Sequence, residues 1–183
     1  MILQTKALTL ASGKTCVLRS AEPEDAAKVI DYMKIMLGET PYLLRTPEEF
    51  DYTAEQEAEI LKNKSNDPRS LMILAEVDGE IVGTSDIHPA GSRNRIKHRC
   101  GLGMSVRMDF WRLGIGSVMM EKLIAFAEKA GYEQIELEVV SSNRRAVNLY
   151  LKYGFMVYGT RPHGLRYADG TYANDYLMYR TLP

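Results

Sequence analysis

Ser105–Met120, SVRMDFWRLGIGSVMM, decides how the chain is to be read. It has the pattern of a β-strand, a short glycine-rich turn and the first turns of an amphipathic helix. Gly114 and Gly116 fall where strand becomes helix. Glycine there lets the backbone turn tightly and lets amide N–H groups approach a ligand with no Cβ in the way. A helix N-terminus carries unsatisfied donors and a partial positive charge, so it favours an anion such as phosphate or pyrophosphate. Two nucleotide-binding alternatives fail by spacing. No GxxxxGK[ST] is present, and Met119 occupies the third small-residue slot of a dinucleotide fingerprint.

Working outward, the next informative stretch is Asn143–Phe155, NRRAVNLYLKYGF. Ala146, Leu149, Tyr150 and Tyr153 recur at helical spacing. Asn143 suits an N-cap and Gly154 a C′ position. Asn143 and Tyr150 are about two turns apart and so share a face. By themselves these residues also fit a capped core helix with an amphipathic tyrosine.

Together, in this order and about 30 residues apart, the two stretches resemble the GNAT superfamily of acetyl-CoA-dependent N-acetyltransferases. WRLGIGSVMM is similar to that family's pyrophosphate loop, R/Q-x-x-G-x-G/A, with Trp111 standing where Arg or Gln is usual. NRRAVNLYLKYGF is similar to its N-x-x-A-x-x-L-Y-x-x-x-G-F signature. The resemblance covers about Thr15–Leu182, and DGTYANDYLMYR at the end is similar to the branch of ribosomal-protein and small-amine acetyltransferases. It implies an α/β (α+β) fold, one N-acetyltransferase domain over residues 1–183. The sheet is expected to be mixed and mostly antiparallel, with helices on both faces, and the resemblance implies two central parallel strands that splay.

The resemblance also implies the site. Acetyl-CoA, as co-substrate, would lie on Trp111, Arg112, Leu113, Gly114, Ile115, Gly116 and Ser117, with the amides of Leu113–Ser117 on the pyrophosphate. Its pantetheine arm would run along Met104, Ser105 and Val106, with Asn143 as a coenzyme or water contact. Tyr150 stands where the family places a general acid for the leaving thiolate. An amine of pKa about 10.4 is neutral in about one molecule in 2,500 at pH 7, a deficit of about 4.6 kcal/mol. A base, a water chain or a desolvating pocket must supply it. No carboxylate lies between Asp86 and Asp109, so Glu138 is the leading base, with His163 or an ordered-water relay as alternatives. The acceptor, a small amine, amino acid or peptide N-terminus, would approach between Glu39–Arg45 and an Arg161–Gly170 loop. Those segments hold Glu39, Tyr42, Arg45, Arg161, His163, Arg166 and Asp169. A non-catalytic acyl-CoA sensor is the competing reading, and a homodimer is compatible with the family.

The remaining sequence sets bounds. A chain of 183 residues, 45% hydrophobic and 26% charged, supports one packed domain. A net charge of −1 gives no global electrostatic case for nucleic acid, although Arg93, Arg95, Lys97 and Arg99 cluster before the central strand. These four read as the exposed face of a hairpin or as an attraction for coenzyme A. Cys16 and Cys100 have no metal-ligand spacing and read as reduced buried thiols; no metal site is expected. MILQTKALTLASG lacks a basic n-region, and no apolar run reaches membrane-spanning length, so a cytoplasmic enzyme is expected, with no membrane partner.

Local patterns predict the elements. Ala7–Leu10 and Thr15–Arg19 form a hairpin around Ser12-Gly13, and Pro23 opens a helix that Gly38 ends. Tyr42, Leu43 and Leu44 either pack on the core or line a pocket. Thr46-Pro47-Glu48-Glu49 is a capping box that opens a charged surface helix to about Asn63. Leu71–Val77, turned by Asp78-Gly79 onto Glu80–Ile87, reads as a hairpin with a strand covered on both faces. The helix Gly116–Ala130 and the strand Gln134–Val140 follow. Phe155–Thr160 and Thr171–Thr181 complete the sheet.

Overall fold

The near-continuous apolar run Leu71–Val77 is explained by its position inside the sheet. In the computed structural model, which describes residues 5–183, Leu71, Ile73, Ala75 and Val77 face one layer and Met72 and Leu74 the other. The strands are β1 Lys6–Thr9, β2 Thr15–Ser20, β3 Leu71–Val77, β4 Glu80–Pro89, β5 Arg99–Val106, β6 Gln134–Val140, β7 Met156–Arg166 and β8 Tyr172–Thr181. They form one sheet in the order β1-β2-β3-β4-β5-β6-β8-β7, in which β5 and β6 are the parallel pair. The helices are α1 Ala26–Glu39, α2 Ala54–Asn66, α3 Ile115–Lys129 and α4 Arg144–Lys152. The part of the leader reading that rests on residues 1–4 lies outside the described residues. Among the described residues no helix is long and apolar enough to cross a membrane.

Helices cover both faces. Ile115, Met119, Met120, Leu123 and Ala127 of α3 pack on Leu18, Ile73, Val82, Ile87, Cys100 and Ile135. On the opposite face Val29, Tyr32 and Met36 of α1 and Leu61 of α2 pack on Leu74 and Ile81. Cys16 and Cys100 are free, buried thiols, pushed up by burial to about 11 and about 12. Asp78 and Gly79 both take positive φ, the geometry that a two-residue hairpin needs.

Three expectations change. The capping box at Thr46 opens only a short 3-10 turn, Pro47–Glu49, and α2 starts afresh behind a second box in which Thr53 and Gln56 exchange hydrogen bonds. Phe50 breaks the helix because its ring turns inward onto Ile30 and Leu37. Moreover α2 is not purely a surface helix, since Glu57 and Leu61 are buried. Finally, the segment read as a loop over Arg161–Gly170 is strand as far as Arg166. Pro162 and Gly164 look like loop residues, but β8 pairs across a register shift between Arg161 and Leu165, with His163 at φ 55. The bulge absorbs the proline that a regular ladder would reject.

Candidate active site

β5 and β6 pair for three residues only, Arg99↔Gln134, Cys100↔Ile135 and Gly101↔Glu136. Beyond that point β5 stays with β4 as far as Val106, and β6 stays with β8 as far as Val140. The sheet therefore splits, and Leu102–Val106 and Leu137–Val140 turn backbone edges toward the gap with no strand between them. A cavity of about 1040 Å³ fills this gap and runs from one face of the sheet to the other.

On the α3 face the cavity opens at the glycine turn. The chain leaves β5 through a 3-10 turn, Met108–Phe110, that the sequence pattern did not show. Gly114 at φ 88 is the N-cap residue of α3. A Cβ on Gly114 would meet nothing within 4 Å, so glycine is needed there for its left-handed backbone and not for space. The first amides of α3 have no partner within the helix, because intrahelical bonding begins with Val118 N–H donating to the Gly114 carbonyl. Trp111 donates its indole N–H to the Val106 carbonyl at 2.6 Å, and the Arg145 guanidinium lies 3.1 Å above its ring centroid. Trp111 thus ties the turn to β5 and gives Arg145 a shelf. Burial, and then the neighbouring charge of Arg112, lower the Arg145 pKa. Two like charges in a cavity wall beside free amides are a fit for a polyanion such as the coenzyme's phosphates.

α4 closes this half. The Asn143 side chain caps it by accepting from the Ala146 amide at 3.3 Å, and Asn143, Ala146, Leu149 and Tyr150 all line the cavity. Tyr150 is 7% exposed, and burial pushes its phenol up to about 12. Its ring packs on Phe155, with ring centroids 5.8 Å apart. Met104 and Val106 line the cavity, as does Ser105, whose hydroxyl is bonded to Tyr32 at 2.8 Å and so pins β5 to α1. The sequence-predicted residues Met104–Val106, Trp111, Arg112, Gly114–Ser117, Asn143 and Tyr150 therefore all meet in one cavity wall. Leu113 packs against the core beside them.

The other face carries polar side chains that the sequence distributed over five strands. Glu138 accepts two hydrogen bonds from Arg161, at 2.6 and 2.5 Å. Asp175 lies 3.7 Å from the same guanidinium and against Gly164, and burial raises its pKa although Arg161 opposes the shift. Glu136 is bonded to Arg99 at 3.0 Å and to Gln134 at 2.7 Å. Asp86 and His88, from β4, lie across Gly103 and Gly101 of β5. Tyr42, Leu43 and Leu44 roof this half, and Leu43 also packs on the core, so both readings of that segment hold in part.

Several sequence candidates lie elsewhere. His163 stacks on Tyr172, with ring centroids 4.3 Å apart, and Arg166 lies over the same ring. Arg45 donates to the Tyr52 hydroxyl at 2.8 Å, Glu39 accepts from the Met108 amide at 2.8 Å, and Asp169 caps Thr171. Arg93, Arg95 and Lys97 occupy the connection between β4 and β5, whereas Arg99 is drawn into the sheet by Glu136. Asp86, His88, Arg145 and Asp175 were missed. The only local signal was the alternation of Asp86 and His88 at the end of one strand and of Gly101 and Gly103 at the start of the next.

Residues 35–155 match the model of the acetyltransferase (GNAT) family, and the chain belongs to that family of acetyl-CoA-dependent N-acetyltransferases. It is 32% identical over 177 residues to an N-alpha-acetyltransferase of Sulfurisphaera tokodaii, covering 91% of this chain and 93% of that protein. It is 32% identical over 118 residues to the L-amino acid N-acetyltransferase AaaT of Escherichia coli, covering 62% of this chain and 69% of the relative. Among solved structures, a GNAT-family acetyltransferase of Streptococcus pneumoniae superposes with a TM-score of 0.87 at 28% identity. That match covers 91% of this chain and 99% of the other.

Proposed function

We propose that this chain transfers the acetyl group of acetyl-CoA to the α-amine of an amino acid or of a peptide N-terminus by direct attack. The observation that carries the reading is the cavity through the split sheet, which joins an anion-binding mouth to a carboxylate-rich chamber. Both named relatives have an α-amine or amino acid acceptor in their names. When bound, acetyl-CoA supplies an electrophilic thioester carbonyl. The amides of Leu113–Ser117, with Arg112 and Arg145, would hold the phosphates, and Met104–Val106 and Asn143 would hold the pantetheine arm.

Tyr150 protonates the leaving sulfur. At about 12 its phenol stays protonated at any working pH; burial weakens it as a donor, but the same apolar wall disfavours the thiolate, so the two effects offset. Glu138, Arg161 and Asp175 form a mixed-charge patch that binds an ammonium through the carboxylates and a carboxylate or peptide carbonyl through the guanidinium. Glu138 is better suited to this holding role than to proton abstraction, because Arg161 occupies both its oxygens.

Calorimetric titration with acetyl-CoA, followed by thiol-release assays over L-amino acids and short peptides, tests the proposal. Micromolar coenzyme binding and turnover on α-amines are expected. Binding without turnover on any α-amine would overturn the acceptor assignment, and no binding would overturn the loop assignment.

A further inference from the structure

The reaction needs a proton acceptor; of the chamber's carboxylates Glu136 is bonded by Arg99 and Glu138 by Arg161, and Asp175 is buried 3.7 Å from the same Arg161, where it can hold the ammonium. We propose that His88 takes the proton from the acceptor ammonium, freeing the amine to attack, and that Asp86 is its positioning residue; this rests on the N-acetyltransferase reading above.

The placement follows from register. His88 pairs with Gly101 and Asp86 with Gly103. A Cβ on Gly101 would collide with His88 Nε2, and one on Gly103 would come within 2.7 Å of Asp86 Oδ1. The two glycines are therefore slots that let side chains of β4 lie across β5. Gly101 is also the last residue of β5 to pair with β6. The Nε2 edge of the ring thus lies at the fork of the split sheet, in the cavity wall, where an acceptor and a thioester arriving from opposite faces must meet. No side chain of β5 stands between His88 and the fork.

The hydrogen bonds select the tautomer. His88 Nδ1 lies 3.1 Å from Asp86 Oδ2, and Lys64 of α2 lies 2.6 Å from the same oxygen. Burial pushes the Asp86 carboxyl up, but the bonds from His88 and Lys64 and the Lys64 charge outweigh it and hold it below its ordinary value. An ionised Asp86 can only accept, so Nδ1 carries the proton and Nε2 presents its lone pair. The charges facing this end of the chamber are Lys64 from α2 and the Arg99–Glu136 pair from β5 and β6. The His88 side chain is 51% exposed, which opens a path for the proton to solvent.

The step balances. His88 Nε2 takes one proton from the acceptor ammonium and passes it to solvent. The freed nitrogen lone pair forms the N–C bond, and the C–S bond breaks with its electron pair going to sulfur. Sulfur takes the Tyr150 proton, and the second proton leaving nitrogen returns to the Tyr150 oxygen. One proton is released per turnover.

The test compares wild type with His88→Gln and Asp86→Asn. With L-amino acids and short peptides as acceptors, His88→Gln should lower kcat/KM by about 100-fold, and acetyl-CoA affinity should stay within about twofold. The wild-type pH profile should show an ascending limb that His88→Gln loses and Asp86→Asn displaces, whereas a structural role would lower the profile without moving it. A second readout needs no turnover: long-range 1H–15N spectra of protein labelled in its histidines, with the His88 signal identified by its absence in His88→Gln. Neutral His88 should be in the Nδ1–H form with acetyl-CoA bound and free. An Nε2–H tautomer, or a His88→Gln enzyme with unchanged kcat/KM and profile, overturns the proposal. If wild type binds acetyl-CoA yet acetylates no α-amine, the acceptor reading fails, and the tautomer alone decides the histidine.

Discussion

The two halves of the cavity are built in different ways. The half proposed for the coenzyme is made of local segments, a turn and two helix N-termini, and the binding proposed for it rests largely on backbone amides. The half proposed for the acceptor is made of side chains from β4 to β8 that converge across a sheet, with Arg99 from β5 and with Gly101 and Gly103 of the same strand leaving space. On the proposed function one half would bind by conformation and the other by convergence. The coenzyme half should therefore be sensitive to backbone geometry, and the acceptor half to single charges.

The sharpest way to break that contrast is Gly114→Glu. The left-handed φ penalises any side chain by about 1–2 kcal/mol, and a carboxylate at the anion site adds repulsion. The space around Gly114 is open, so the fold should survive. Acetyl-CoA affinity should fall more than about 100-fold by calorimetry, and an unchanged affinity would remove the turn from the site. Next, Tyr150→Phe should lower kcat by about 100-fold, with coenzyme affinity within about twofold. Because the phenol is raised to about 12, wild-type kcat should show no descending limb from this group below about pH 11. Equal kcat in the two proteins would return Tyr150 to a packing role.

On the acceptor side, Arg161→Ala should raise the acceptor KM about tenfold and leave coenzyme affinity alone; a change in coenzyme affinity would mean that the halves are not separable. The smallest effect is on stability. A carboxyl whose folded pKa is raised is most stabilising when protonated, in acid, and loses that contribution as pH rises through the folded pKa. Asp175 is such a group. Asp175→Asn should therefore raise the melting temperature by about 2 °C at pH 7, with no gain below about pH 4, while weakening acceptor binding. A lower melting temperature at pH 7 would show that Asp175 is instead a net stabilising partner of Arg161.

The same contrast explains what was legible. Gly114, Gly116, Asn143 and Tyr150 were readable because turn, cap and helix-face signals act over at most two helical turns. Leu71–Val77 was readable as a doubly covered strand for the same reason. Arg161–Arg166 was misread because a bulge depends on the partner strand, and α2 began late because Phe50 answers to a tertiary contact with Ile30 and Leu37. Glu138 was found as a residue, but its engagement by Arg161 was not, since the two lie on strands linked only through β8. His88 and Asp86 were not readable as site residues because the slots that admit them are Gly101 and Gly103 on the strand opposite.

The sequence by itself determined the order of elements, the glycine turn before α3, the capped tyrosine helix and the family, because each is set by short-range backbone preference and spacing. Only the tertiary structure decided where the sheet splits, which carboxylates are already paired and which side chain reaches the fork. Those outcomes depend on strand register, and register is fixed by the packing of the whole sheet between its helices.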